Sequence, residues 1–376
     1  VEYDVAVIGA GPGGCATAYH LRQAGWKVLL VERRRHPVDK LCGEFLSPEG
    51  ITSLKRMGLE LQNERDIFPI IRDVAVSSTA GSAWQAPLPA PGLGISRKYL
   101  DRILMERCAE SGVEVVQGVK ITRVHGTVAG GFCLQGQGVS YPARLAVAAY
   151  GKQSPLQNLL GDKSRATGKW MALKLHHRGA FPQERVELHN FPGGYAGLCR
   201  VEDGRVNLCL LTRISCFRAV GGDCRSFVRE VLCRNPLLAQ RLQQLEGNWD
   251  EVIAVANLSF GQVQRAADGV ALVGDAAGAI SPLCGDGMAM ALRTGEMIAP
   301  LADRYLRGII AGEQFLQRYD AQWQAEFRWR LGLGKMLQAL LARPFGARAA
   351  IALLRSFPAL GAGLVRATRG GSRSAG

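Results

Sequence analysis

The stretch that most constrains this chain is its first 32 residues. Asp4-Val-Ala-Val-Ile8 is a short apolar run, followed by Gly9, Gly11 and Gly14 in the spacing G-x-G-x-x-G. Helix-compatible sequence then runs from Cys15 to Ala24, a second apolar strand from Lys27 to Val31, and the acidic Glu32 closes the unit. This order predicts a βαβ unit that grips a dinucleotide. The first glycine allows a tight turn, the second leaves the backbone free to approach a pyrophosphate, and the third lets helix and strand pack closely. Phosphates would meet the helix N-terminus, whose unpaired N–H groups and dipole favour negative charge. Glu32 stands where a carboxylate accepts the hydroxyls of an adenosine ribose.

That unit is a small part of 376 residues, so the remainder must build at least one further core. With 47% hydrophobic and 21% charged residues the composition is that of a globular protein, and no apolar stretch reaches membrane-spanning length. No leader-like segment precedes the first strand and the ten cysteines lack paired spacing, so a cytoplasmic protein with reduced thiols is expected. The formal charge of +14 is concentrated late, at Arg330, Lys335, Arg343, Arg348, Arg355, Arg366, Arg369 and Arg373, interleaved with Leu, Ala and Phe. That pattern matches no nucleic-acid-reading motif. It leaves a solvated helix face or peripheral contact with a membrane surface.

Between these ends, Ser47-Pro48-Glu49 opens a helix to about Met57, and Asp73 to Ala86 reads as strand, turn and strand with Pro87 to Gly94 as loop. Ser96 caps a helix to about Ser111. Strands are expected at Val113–Val116, Lys120–His125, Gly131–Leu134 and Leu145–Ala149. From Lys169 to Leu211 four strand-like segments joined by Phe191-Pro-Gly-Gly194 and Asp203-Gly204 predict an antiparallel sheet. Helices follow at Cys224–Arg234 and Leu237–Leu245, and Pro344 and Pro358 cut a helical C-terminal part. The expected fold is α/β: a Rossmann-like dinucleotide domain (1–72, 95–165 and 260–310) interleaved with an antiparallel-sheet substrate domain (73–94 and 166–259), then C-terminal helices (311–376).

A second motif closes the first domain. The strand to Val273 ends in Gly274-Asp275-Ala-Ala-Gly278, Pro282 follows, and Gly285-Asp-Gly287 opens the helix from Met288. Asp275 falls at the carboxyl end of a buried strand, where ligands of open α/β sheets gather. Together with Cys42-Gly43-Glu44 and Gly193-Gly194-Tyr195, these blocks resemble those of FAD-dependent oxidoreductases of the p-hydroxybenzoate hydroxylase fold, most of all the geranylgeranyl reductase branch. The resemblance covers residues 1 to 310. It implies that Gly9, Gly11, Gly14, Glu32, Arg33, Arg97, Gly274, Asp275, Pro282, Gly285, Gly287 and Met288 serve FAD, with the stretch from Gly285 to Met288 against the isoalloxazine. Two blocks depart from the relatives. After Tyr195 the chain reads Ala196-Gly-Leu-Cys-Arg200 where the reductases carry a tryptophan and a Phe-Pro pair, and the W-x-W-x-I-P block of flavin-dependent halogenases is missing.

Cys42 and Glu44 are the candidate catalytic groups beside the ring, set against a plain reading as a buried thiol and a loop-anchoring carboxylate. Trp170 and Tyr195 are the candidate substrate contacts. His176, His177 and His189 have no metal spacing and read as sheet residues, and no metal is expected. Met288 and Met290 also suit a helix core. With no second glycine unit, the reductant would be NAD(P)H visiting transiently or a partner protein. The expected substrate is a hydrophobic small molecule. The leading expectation is a monooxygenase of aromatic or polyketide-like compounds such as those of secondary metabolism. Reduction of an isoprenoid or quinone double bond is the alternative, and a non-catalytic flavin electron carrier the alternative of another class.

Overall fold

A computed structural model describes residues 2–63, 67–151, 168–258, 260–262, 264–279, 283 and 285–367. The first domain grows from β1 (Tyr3–Ile8), α1 (Pro12–Gln23) and β2 (Val28–Glu32), whose apolar runs are buried throughout because helices cover both faces of a parallel sheet. The chain then leaves through β3 (Phe45–Leu46) and α2 (Pro48–Arg56) to a hairpin of β4 (Ile70–Ser77) and β5 (Ala83–Gly94). It returns with α3 (Arg97–Glu110), whose N-cap Ser96 accepts from the Tyr99 amide. β6 (Glu114–Gln117), β7 (Arg123–Thr127), β8 (Gly131–Gly136) and β9 (Val139–Ala148) follow.

The second sheet is β10 (Trp170–Gly179), β11 (Arg185–Phe191), β12 (Gly194–Arg200) and β13 (Val206–Arg213), covered on its outer face by α4 (Ile214–Arg218), α5 (Cys224–Glu230) and α6 (Pro236–Gln243). β14 (Leu245–Glu246) and β15 (Ile253–Leu258) add to it through β10. A small ribbon pairs β16 (Gly261–Gln262) with β19 (Gly278–Ala279), and between them β17 (Ala266–Ala267) and β18 (Val270–Leu272) rejoin the first sheet. Four helices end the chain: α7 (Gly287–Leu306), α8 (Gly312–Leu341), α9 (Pro344–Ser356) and α10 (Pro358–Ala367).

The first sheet has the order β17-β18-β9-β1-β2-β6, with β1 paired in parallel to both β2 and β9. The strand order therefore reverses between β1 and β9, and a crevice opens beyond their carboxyl ends. The second sheet has the order β14-β10-β13-β12-β11-β4-β5-β3, so the hairpin inserted between β2 and β6 completes a sheet begun far later in the chain.

Three strand expectations change. Residues 87–94 are not loop but the second half of β5. Pro87, Pro89 and Pro91 fall on alternate positions, so their nitrogens, which have no hydrogen to donate, all turn to one side, the side on which β3 reaches only Leu93 and Gly94. Strand β7 begins at Arg123 rather than Lys120, and β9 begins at Val139 rather than Leu145. The expected domain boundary near 165 lies outside the described residues.

Candidate active site

The crevice is built first by steric necessity. Gly9 follows β1 with φ +104°, and a Cβ there would lie 2.5 Å from the Ala149 carbonyl at the end of β9, so only glycine closes this turn. Gly14 packs inward, where a Cβ would run into the Gly9 carbonyl. Gly11 faces outward. It is the N-cap of α1, has no side chain to cap the helix, and a Cβ there would meet only Arg97 Nη2, at 3.7 Å. Uncapped amides at the positive end of a helix are an anion site. At the end of β2, the buried Glu32 accepts from the Ala10 amide through Oε2 (2.9 Å) and from the Arg34 amide through Oε1 (3.0 Å). These two bonds aim the carboxylate and leave it acceptor capacity for sugar hydroxyls.

The second glycine turn arrives at the same place. A Cβ on Gly13 would lie 3.2 Å from Gly274 Cα, so turns 261 positions apart in the chain touch backbone to backbone. Asp275, Gly285, Gly287 and Met288 line the crevice with Gly9, Gly11 and Arg33. The N-cap of α7, Asp286, makes no side-chain cap, because its buried carboxylate instead accepts from Ser47 Oγ (2.9 Å) and Arg330 Nη1 (3.1 Å). A second helix N-terminus thus opens on the crevice. Below it Arg97 grips Asp101 with Nε and Nη2 (2.8 and 2.9 Å), and Lys40 adds a contact at 2.8 Å. Burial pushes the Asp101 carboxyl up, but the Arg97 and Lys40 charges outweigh it and hold the group below its ordinary value.

The loop from Asp39 to Glu44 is pinned from across the domain boundary. Glu44 has φ +59° and is fully buried. Its Oε1 accepts from Lys174 Nζ (2.5 Å) and the Arg97 amide (2.8 Å), and its Oε2 lies 2.6 Å from His176 Nε2. Lys174 also reaches Asp39 Oδ1 (3.3 Å) and the Lys40 carbonyl (3.1 Å), while Asn207 Nδ2 donates to the Cys42 carbonyl (2.9 Å). Glu44 therefore ties helix α3 to strand β10. Asp39, Glu44 and His176 bring three potential metal donors within 4.8 Å of one another, but the positive charge among them is the Lys174 ammonium. Cys42 lines the crevice and its sulfur accepts from the Glu44 amide at 3.4 Å.

Beyond this loop the crevice continues against the inner face of the second sheet, and crevice and chamber together form one cavity of about 540 Å³. In that sheet Ala172 pairs with Leu211 and Leu211 with Tyr195, so the three side chains share one face. Val255 and Leu258 of β15 extend the wall. Tyr195 lines the cavity. Trp170 packs against the same cluster, with Arg213 over its ring at 5.7 Å, but does not line it. Met288 both lines the crevice and belongs to the core, as does Met290 to the core alone. Pro282 lies outside the described residues. His189 pairs with Glu187 and Ser77, and His177 faces the outer side beside Trp249. The nine cysteines among the described residues are free.

Sequence reasoning passed over Lys174 and Asn207 and read His176 as a sheet residue. One signal was available: Lys174 interrupts the apolar run from Trp170 to Leu175 on the same side as Ala172, and a charge there demands a buried partner. Which partner was decided by the fold.

The geometry fits FAD: two uncapped helix N-termini and a fixed ribose carboxylate border one crevice that continues into an apolar chamber. A family model described as an FAD binding domain matches residues 2–327. Digeranylgeranylglycerophospholipid reductase 2 of Methanopyrus kandleri is 29% identical over 344 residues, 87% of this chain and 83% of that protein. Among solved structures, the flavin-dependent brominase Bmp2 superposes with a TM-score of 0.81 at 19% identity, covering 98% of this chain and 93% of that one. PqsL of Pseudomonas aeruginosa, described as a probable FAD-dependent monooxygenase, does so with 0.74 at 22% identity, covering 93% and 99%.

Proposed function

The chain belongs to the FAD binding domain family and is an FAD-dependent oxidoreductase, and on that premise we propose that it reduces carbon–carbon double bonds in an isoprenoid-type hydrophobic substrate. The observation that carries this reading is the chemistry of the chamber wall. The sheet side offers Ala172, Leu211, Val255 and Leu258, with Tyr195 as its hydroxyl, whereas every charged lining residue, Glu44 with both its oxygens already engaged among them, belongs to the dinucleotide domain. A hydrocarbon chain needs only such a wall. A ring activated for oxygen insertion would need a base to ionise it there. The likeness to a digeranylgeranylglycerophospholipid reductase at 29% identity supports the same reading.

When bound and reduced, FAD supplies a hydride. The protein's part is to hold the alkene in the chamber away from water and to place a proton opposite. Cys42 is the residue for that step: its thiol proton goes to the second alkene carbon, and water reaching the half-exposed side chain restores it. Glu44, with both oxygens engaged, positions the Cys42 loop. Electrons reach the flavin from transient NAD(P)H or a protein donor.

Hydroxylation of an aromatic compound is the second reading, favoured by the Ala196-Gly-Leu-Cys-Arg200 run in place of the reductase block. One experiment separates them. Enzyme reduced with dithionite under nitrogen and given a polyprenyl lipid should yield a product heavier by two hydrogens per double bond. A product carrying added oxygen, formed only in air, would overturn the proposal.

A further inference from the structure

The last fifty residues carry a surface that the flavin site does not use. From Phe327 to Gly376 the chain has nine basic residues and no acidic one. Helix α8 is apolar on two opposite sides. Phe315, Tyr319, Trp323, Phe327 and Leu331 are buried against the dinucleotide domain, and Trp329, Met336 and Leu340 stand on the other side at 73%, 59% and 39% exposure. The spacings of seven and four residues place these three in one stripe. Past the bend into α9, Phe345 is 84% exposed, and it adjoins the stripe, since a Cβ on its neighbour Gly346 would lie 3.0 Å from Leu340 Cδ1. Leu353, Phe357 and Leu360 continue the exposed apolar surface at 51%, 56% and 52%. Meanwhile Ile351, Leu354 and Val365 hold α9 and α10 onto Val74 and Trp84 of the second sheet, so the exposed residues are carried on a fixed support.

Three aromatic side chains of about 150–250 Å² each, more than half exposed, already reach the few hundred Å² that a monomer's largest patch usually occupies. Arg328, Lys335, Arg343, Arg348, Arg355 and Arg366 are exposed on the same helices. We propose that this face of α8, α9 and α10 docks on the surface of an anionic lipid bilayer, the aromatic and aliphatic side chains entering the acyl boundary and the cations meeting the head groups. The helices lie on the bilayer and do not cross it. Among the described residues no single helix is long and apolar enough to span, and the α8 and α9 pair that passes together is bent by 111°. One side of α8 is, moreover, committed to the protein core. A second copy of the chain is a poor occupant, because two faces bearing only positive charge repel each other.

The test uses the full FAD-loaded chain in flotation with vesicles of phosphatidylcholine containing about one third phosphatidylglycerol, against pure phosphatidylcholine, at low and high salt. Wild type should float with the anionic vesicles and remain below with the neutral ones. W329S/F345S, which keeps every charge, and R343Q/R348Q/R355Q, which keeps every apolar group, should each bind about tenfold more weakly. Flavin absorbance and circular dichroism should stay as in wild type for both, since all five residues are exposed. Wild type that fails to float overturns the proposal, as do variants that both float like wild type. A dimer broken by W329S/F345S, with no vesicle binding, would assign the face to a second copy. Retention on duplex DNA alone, equal in wild type and W329S/F345S, would assign the charge to nucleic acid.

Discussion

Replacing Lys174 by Met tests whether a buried ion pair joins the two domains at the flavin crevice. The side chain is 1% exposed and its ammonium sits 2.5 Å from an oxygen of Glu44, which is wholly buried. Methionine fills a similar volume without the charge, so the loss is electrostatic. At an effective dielectric near 20, two charges at that distance attract by roughly 7 kcal/mol before desolvation is subtracted. Removing one partner of a buried pair costs about 3–5 kcal/mol, since the survivor stays uncompensated. His176 and the Arg97 amide still face Glu44, which places the expected loss near the lower end, about 3 kcal/mol. The second arm is Glu44→Gln in the K174M background. Neutralising both sides should recover at least about 2 kcal/mol relative to the sum of the single losses. The assay is urea unfolding followed by far-ultraviolet circular dichroism and flavin fluorescence, with the shift read in midpoint at constant slope. A K174M loss below about 1 kcal/mol, or additive costs in the double variant, would refute the claim that this pair anchors the loop.

Four other outcomes follow from the same geometry. Gly9→Ala should cost at least about 2 kcal/mol, from its positive φ and the Ala149 carbonyl 2.5 Å from the new methyl, measured by urea midpoint. Gly11→Ala should leave that midpoint unchanged and weaken FAD about tenfold by titration, because its methyl stands only in the approach to the helix amides. Cys42→Ala should lower anaerobic turnover about 10²-fold with flavin affinity unchanged, as the loss of a proton donor requires. His177 has burial as the main cause of a pKa lowered from 6.5 to about 4, offset in part by a hydrogen bond with the Leu175 backbone and deepened by the His176 charge. The unfolded chain therefore takes up this proton first. Stability is intact above pH 6.5 and falls as pH drops toward 4, by on the order of 3 kcal/mol for this group. H177L should flatten the dependence of the urea midpoint in that window, and an unchanged slope would refute the assignment.

What could be read from the residues in order were the elements whose physics is local. The β1 to β2 unit, the turn at Gly274, the inward alternation of the second sheet, the cap at Ser96 and the helix start at Pro48 each follow from spacing within a few residues. The Pro87 to Gly94 segment misled because proline argues for loop until one knows that a neighbour is missing on one side. Cys42 and Glu44 stood out by their block, but nothing nearby told which of them is engaged.

The chain's own order of residues determined that there would be a dinucleotide crevice, since the Gly9 turn, the bare α1 N-terminus and Glu32 are set by backbone sterics and helix electrostatics inside one short unit. Only the tertiary structure decided what that crevice opens onto. The contact of Gly13 with Gly274, the closure of Lys174, His176 and Asn207 on the Asp39 to Glu44 loop, and the reach of Arg330 to Asp286 all join residues tens to hundreds of positions apart. A buried charge announces that it needs a partner, but the partner's identity is a property of packing, and packing is settled only when both sheets have closed.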